Sequence, residues 1–173
     1  MRARAALCAL FLGLPAGAGA QGFALPGVRA DSSVLLGCLA GGRQVEECLG
    51  AMTEACMADN ELGNDNLEER LCVAEELNIW RELLARAEAR LRRRIEARGP
   101  GRSPGRGAEA LSALAEAGVR WAAWRDSRCR LERAVAGGDG RRAIIGDICL
   151  RDLTADRYRQ LQALGRRLAE AAR

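Results

Sequence analysis

From Val73 onward, apolar residues recur as Val73, Leu77, Trp80, Leu84, Ala87, Leu91 and Ile95. Steps of three and four place them on one face of an α-helix. Neither Pro nor Gly interrupts residues 67–98, so the pattern predicts one long helix there. The stretch GPGRSPGRG at 99–107 ends it, Gly and Pro acting as breakers, and reads as a flexible loop. A second helix is expected over about 108–136, closed by the turn Gly137-Gly138-Asp139-Gly140. A last helical region is expected from Arg142 to near the C-terminus, with Asp152 or Thr154 capping a restart inside it. Upstream, residues 31–40 and 44–58 read as two shorter helices. No segment shows strand alternation. The expected fold is all-α: disulfide-stapled helical hairpins or a bundle with one long central helix.

The N-terminal pattern is different. Arg2 and Arg4 precede an apolar run from Ala5 to Leu14, and small residues follow, ending Ala18-Gly19-Ala20. This is the order of a cleaved secretory signal peptide over residues 1–20, and the run is too short to span a membrane. Cys8 follows Leu7 and precedes the end of the run, unlike a lipid-attachment cysteine. Residues 21–30 then form an N-terminal extension, and 31–173 a single helical domain. The expected location is the periplasm or the exterior of a bacterium, with no transmembrane segment after cleavage.

Removing the leader takes Cys8 and leaves six of the seven cysteines, an even number that reads as three disulfides in an oxidising compartment. Cys129 and Cys149 lie equidistant from Asp139, Cys56 and Cys72 from Asn64, and Cys38 and Cys48 from Arg43. Each midpoint falls in or beside a predicted turn. In an antiparallel helical hairpin such positions stand at the same height. The spacing therefore favours Cys38–Cys48, Cys56–Cys72 and Cys129–Cys149. If Cys48 and Cys56 share a helix, a rise of ~12 Å keeps them from bonding each other. Crossed pairing of Cys38 with Cys56 and Cys48 with Cys72 stays open. No C-x₂-C pair supports a zinc site, and no metal or cofactor is expected.

Composition narrows the chemistry further. There is no histidine, and all 27 basic residues are arginine. A Ser-His-Asp or Cys-His site, a His-ligated metal and a Schiff-base lysine are thereby excluded. Adjacent acids such as Glu75-Glu76 diverge around a helix, and no nucleophile–base pair is evident. The chain is not expected to be an enzyme, and no catalytic residues are assigned.

Two of the three tryptophans and a cysteine fall in WAAWRDSRC, residues 121–129, although the chain has only six aromatic residues. At 3.6 residues per turn, Leu114, Ala117, Trp121, Trp124, Leu131 and Val135 form one stripe, with Cys129 at its edge beside Leu111 and Gly118. Both tryptophans are thus expected in the core. Arg125 shares the stripe and needs a carboxylate partner, while Asp126 is expected to point away.

This segment resembles the LprI-type lysozyme-inhibitor domain. The matching positions are Trp121, Trp124, Arg125, Asp126, Cys129, Gly137, Gly138, Cys149, Leu153, Thr154, Arg157 and Leu161. The likeness is strongest over 121–161 and loose over 67–120, where Cys72, Glu76, Trp80 and Leu84 fit. The Gln-Arg step usual before the family's Trp is replaced by Glu116-Ala117-Gly118-Val119-Arg120. The resemblance implies an exported, disulfide-bonded helical domain with some members acting on lysozyme, and its motif is mostly structural.

Charge suggests where a partner would bind. Residues 54–82 hold nine acids and two arginines, whereas 83–108 hold eight arginines and two glutamates. This order also suits the dipole of the long helix. Glu68, Glu69, Glu75 and Glu76 are candidates for steering a cationic lysozyme. Arg102 and Arg106 are candidates for meeting the paired carboxylates that glycoside hydrolysis requires. The expected function is an exported binding protein that inhibits lysozyme by blocking its active site. The alternative is an envelope module binding an anionic polymer or lipid. Lysozyme or another envelope protein is the expected partner, and nucleic acid is not.

Overall fold

The computed structural model describes residues 28–60, 66–98 and 105–171. The leader at 1–20, residues 21–27 of the extension and the loop at 99–104 lie outside the described residues. Six helices follow in order: α1 (Ser32–Ala40), α2 (Val45–Cys48), α3 (Ala51–Asp59), α4 (Asn66–Ala97), α5 (Arg106–Val135) and α6 (Asp139–Glu170).

α4 carries the predicted apolar face: Val73, Leu77, Trp80, Leu84, Ala87, Leu91 and Ile95 are all buried. It packs most extensively on α6, which runs in the same direction. Arg70 meets Asp147 at 2.8 Å near one end of that seam. Near the other, Arg94 donates to the Gly165 carbonyl at 2.8 Å, and Arg98 donates to the Leu168 carbonyl. The Leu168 carbonyl is among the last four of α6, which lack partners within the helix, and arginine near that end suits the dipole. α5 runs antiparallel to both and completes a three-helix unit. One buried cluster of Leu84, Ala87, Leu91, Ile95 and Leu161 fills it, with Leu111, Leu114 and Trp121 packed alongside. Each large aliphatic side chain fully buried there contributes roughly 1.5–3 kcal/mol.

The short helices cover the first half of α4. Leu35, Cys48, Met52, Trp80 and Ala155 form a second buried cluster. Tyr158 packs on both clusters, with its ring 5.8 Å from that of Trp80. α1 is capped by Asp31, whose carboxylate accepts from the Ser33 amide at 2.8 Å and the Ser33 hydroxyl at 2.7 Å. Those hydrogen bonds hold the Asp31 carboxyl below its ordinary range.

Two expected elements differ. The helix read over 44–58 is split into α2 and α3 by Leu49 and Gly50, where Gly50 adopts φ 89°. Cys48 and Cys56 therefore occupy separate helices, and the rise that separated them on a shared helix does not apply. The restart expected in the last helix is absent, because α6 is continuous. Thr154 is fully buried and donates its hydroxyl to the Leu150 carbonyl at 2.6 Å, so it satisfies itself within the helix instead of capping one.

The structure joins Cys38 to Cys48, Cys56 to Cys72 and Cys129 to Cys149, with Cα atoms 5.8, 5.7 and 5.5 Å apart. The pairing is sequential, not crossed. Gly50 sits in the left-handed region, so Gly50→Ala is expected to cost about 1–2 kcal/mol through backbone strain alone. Thermal unfolding followed by circular dichroism checks this, and an unchanged midpoint contradicts it.

Candidate functional site

Two constellations draw together the residues singled out in the sequence. The first centres on Glu76, whose side chain is wholly buried. It lies three residues after Val73 and four before Trp80, on the apolar face of α4, and that register was the available signal. One carboxylate oxygen accepts from the Gly50 amide at 2.8 Å and from Trp80 Nε1 at 3.0 Å. The other accepts from the Thr53 amide at 2.9 Å and the Thr53 hydroxyl at 2.7 Å. Gly50 and Thr53 open α3, so a carboxylate on α4 serves as the N-terminal cap of a different helix. Arg151, from α6, lies 3.9 Å away and donates to the Thr53 hydroxyl at 3.3 Å. It is also anchored by Asp152 at 2.9 Å. Glu76 is thus no part of an accessible acidic patch. Thr53 and Arg151 escaped notice because their roles depend on α3 and α6 meeting at α4.

The second constellation is the WAAWRDSRC segment on α5. Cys129 is the one side chain of this helix that is buried among the described residues. Its bond to Cys149 makes the edge of the predicted stripe the inward side. Leu111, Leu114, Gly118, Trp121 and Arg125 are partly covered, whereas Ala117, Trp124, Leu131 and Val135 are exposed. Trp121 packs beside the α4–α6 core as expected. Trp124 does not, and keeps 54% of its surface in solvent. The Arg125 guanidinium stands 4.8 Å from the Trp121 ring and that of Arg157 at 5.8 Å, both within cation–π range. Arg157 Nε is buried and has no hydrogen-bond partner among the described residues, so the ring supplies part of its compensation. Asp126, expected to point away, turns back to receive Arg125 at 2.9 and 2.7 Å. The carboxylate that Arg125 needs is its own sequence neighbour, reached because the guanidinium lies across Trp121 toward the surface.

Between α4 and α5 runs a groove of about 500 Å³, floored by Leu84, Leu114 and Trp121 and edged by Arg81, Glu88 and Arg92. Lost hydration, and secondarily the charge of Arg125, hold Arg81 below its ordinary value. Of the remaining motif residues, the two glycines form the α5–α6 turn and Leu161 packs against α4. Gly138 takes φ 78° in the turn, beside exposed Gly137, while Leu161 is buried and Leu153 partly so.

The charged candidates separate. Glu69 faces Arg141 at 3.6 Å, and Asp147 holds both Arg70 and Arg133. Glu69 is therefore partly neutralised by α6, whereas Arg70, one of the two arginines of the acidic stretch, is itself taken up by Asp147. Glu68 and Glu75 are half-buried on the same helix. Arg106 is exposed in the first turn of α5, at the far end of α4 from these acids, and Arg102 lies outside the described residues. The structure does not bring the acids and Arg106 together. Among the described residues no cluster of His, Cys, Asp or Glu suits a metal ion, and no helix is long and apolar enough to cross a membrane.

A family model described as "Lysozyme inhibitor LprI" matches residues 56–161. No curated protein and no solved structure matches the chain.

Proposed function

This chain belongs to the lysozyme inhibitor LprI family, and from that premise we propose that it is an exported helical binding protein that inhibits a lysozyme by blocking its active site. The observation carrying the reading is the extent of the match. It runs from Cys56 to Leu161 and so takes in two disulfides, the Glu76 network and most of the three-helix unit. Members of the family are inhibitors, not enzymes. Three disulfides support an extracytoplasmic location, reached through cleavage of residues 1–20 and ending in the periplasm or outside the cell.

Inhibition would work by occupancy. The half-buried acids Glu68, Glu69 and Glu75 contribute to the field that assists encounter with a cationic enzyme, and an arginine such as Arg102 or Arg106 meets the carboxylates of the cleft. The basic end of the bundle favours a second reading. Arg92, Arg93, Arg106, Arg166 and Arg167 are all exposed near it, which suits an anionic envelope polymer or lipid as partner.

Titration of muramidase activity with the oxidised protein separates the two. Stoichiometric inhibition is expected, and it should disappear after reduction and alkylation. Absence of inhibition at tens of micromolar across several lysozyme types defeats the first reading and leaves the second.

A further inference from the structure

One exposed line along α5 has an apolar centre and a single sign of charge. Ala117, Arg120, Trp124, Arg128, Leu131 and Val135 follow one another at steps of three and four, and so form one line along the helix. All six are exposed, Leu131 by 55% and Val135 by 74%. Arg106 falls on the same line, roughly five turns before Trp124. No carboxylate lies on it. Glu116 and Glu132 flank it, holding Arg120 at 2.6 Å and Arg128 at 2.7 Å. The Arg120–Glu116 pair is solvent-exposed and weak, whereas Glu132 is partly covered, so Glu116 is the acid a better-placed carboxylate replaces at least cost.

Resting on the lysozyme-inhibitor reading, we infer that this line of α5 is the inhibitory surface, with Trp124 as its anchor and Arg120 and Arg128 facing the carboxylates of the enzyme's cleft. The partner's chemistry matches the line. A glycoside hydrolase flanks its scissile bond with two carboxyl groups, and a guanidinium fork is the side chain best shaped to grip one. The line itself brings no carboxylate to such a cleft, and the flanking Glu116 and Glu132 are already paired with Arg120 and Arg128. Tryptophan and arginine are also the residue types that dominate binding energy at protein interfaces. Trp121 and Trp124 thereby take different tasks: the first packs under Arg125, and the second remains free to dock.

The test uses the full oxidised protein in a muramidase titration, with circular dichroism of each variant. Trp124→Ala removes a half-exposed ring and should leave the fold intact. Inhibition is expected to weaken about a hundredfold. Arg128→Glu should weaken it comparably, whereas Val119→Ser, on another side of α5, should not. A soluble N-acetylglucosamine oligomer should compete with the wild-type protein for the enzyme. A folded Trp124→Ala protein that inhibits as well as wild type overturns the inference and leaves the lysozyme reading standing. Wild-type dimers that Trp124→Ala dissociates, with inhibition unchanged, assign the line to self-association and overturn it too. If the wild-type protein inhibits no lysozyme, the underlying reading fails, and the inference with it.

Discussion

Glu76→Ala is expected to destabilise the protein by about 4 kcal/mol or more, since each buried donor left without an acceptor costs roughly 1–3 kcal/mol. The carboxylate accepts four hydrogen bonds, from Gly50, Trp80 and Thr53 twice. Arg151 keeps Asp152 as a partner, so its charge is not stranded. The loss would consume a large part of the roughly 5–15 kcal/mol by which a domain is stable. Glu76→Gln should fall between, because an amide oxygen accepts while its NH₂ confronts donors. Urea unfolding at constant slope measures the change. The signature of local failure is loss of amide protection in α3, whose first turn the carboxylate caps. A midpoint shift worth less than about 1 kcal/mol for the alanine variant would contradict a stabilising network, since that is the size of one ordinary hydrogen bond.

Replacing Cys129 and Cys149 together by serine is expected to cost about 3 kcal/mol, the loop-closure value for a bridge of this span. The effect should be concentrated in α5. The two cysteines are 20 residues apart in sequence, and Cys129 is the buried side chain that α5 contributes. Without the bond, the helix retains Leu111, Leu114 and Trp121 against α4 but loses the link that fixes its rotation. Hydrogen exchange should show α5 opening below the global unfolding energy, while α4 stays protected. Uniform destabilisation with no excess in α5 would contradict this account. Cys38–Cys48 closes a shorter loop, 10 residues apart, and its removal should cost less.

Much of the architecture was legible because it is local. The three-and-four spacing of Val73 through Ile95 marked the buried face of α4, and the breakers at 99–107 marked its end. Cysteines equidistant from turns indicated the three bonds because hairpin geometry ties sequence distance to height. The candidate site was only partly legible. Trp124 lies on the same apolar stripe as Trp121, and amphipathic spacing cannot say where on a wide stripe a neighbour will land. Glu76 looked like one of a surface pair with Glu75, although its register with Val73 and Trp80 placed it inward.

Sequence alone determined the class of fold, the three long helices and the exclusion of histidine and lysine chemistry, and it favoured one cysteine pairing without closing the crossed one. These follow from backbone propensity, periodicity and covalent reach. Tertiary structure decided which way α5 turns, which acid is buried and which tryptophan is free. Each of those depends on a contact between segments far apart in the chain: Cys129 with Cys149, Glu76 with the start of α3, Arg157 with Trp121. A helix's own sequence fixes its apolar side only to within the width of a stripe. The partner that closes on it selects the line that is buried and leaves the adjacent line to solvent.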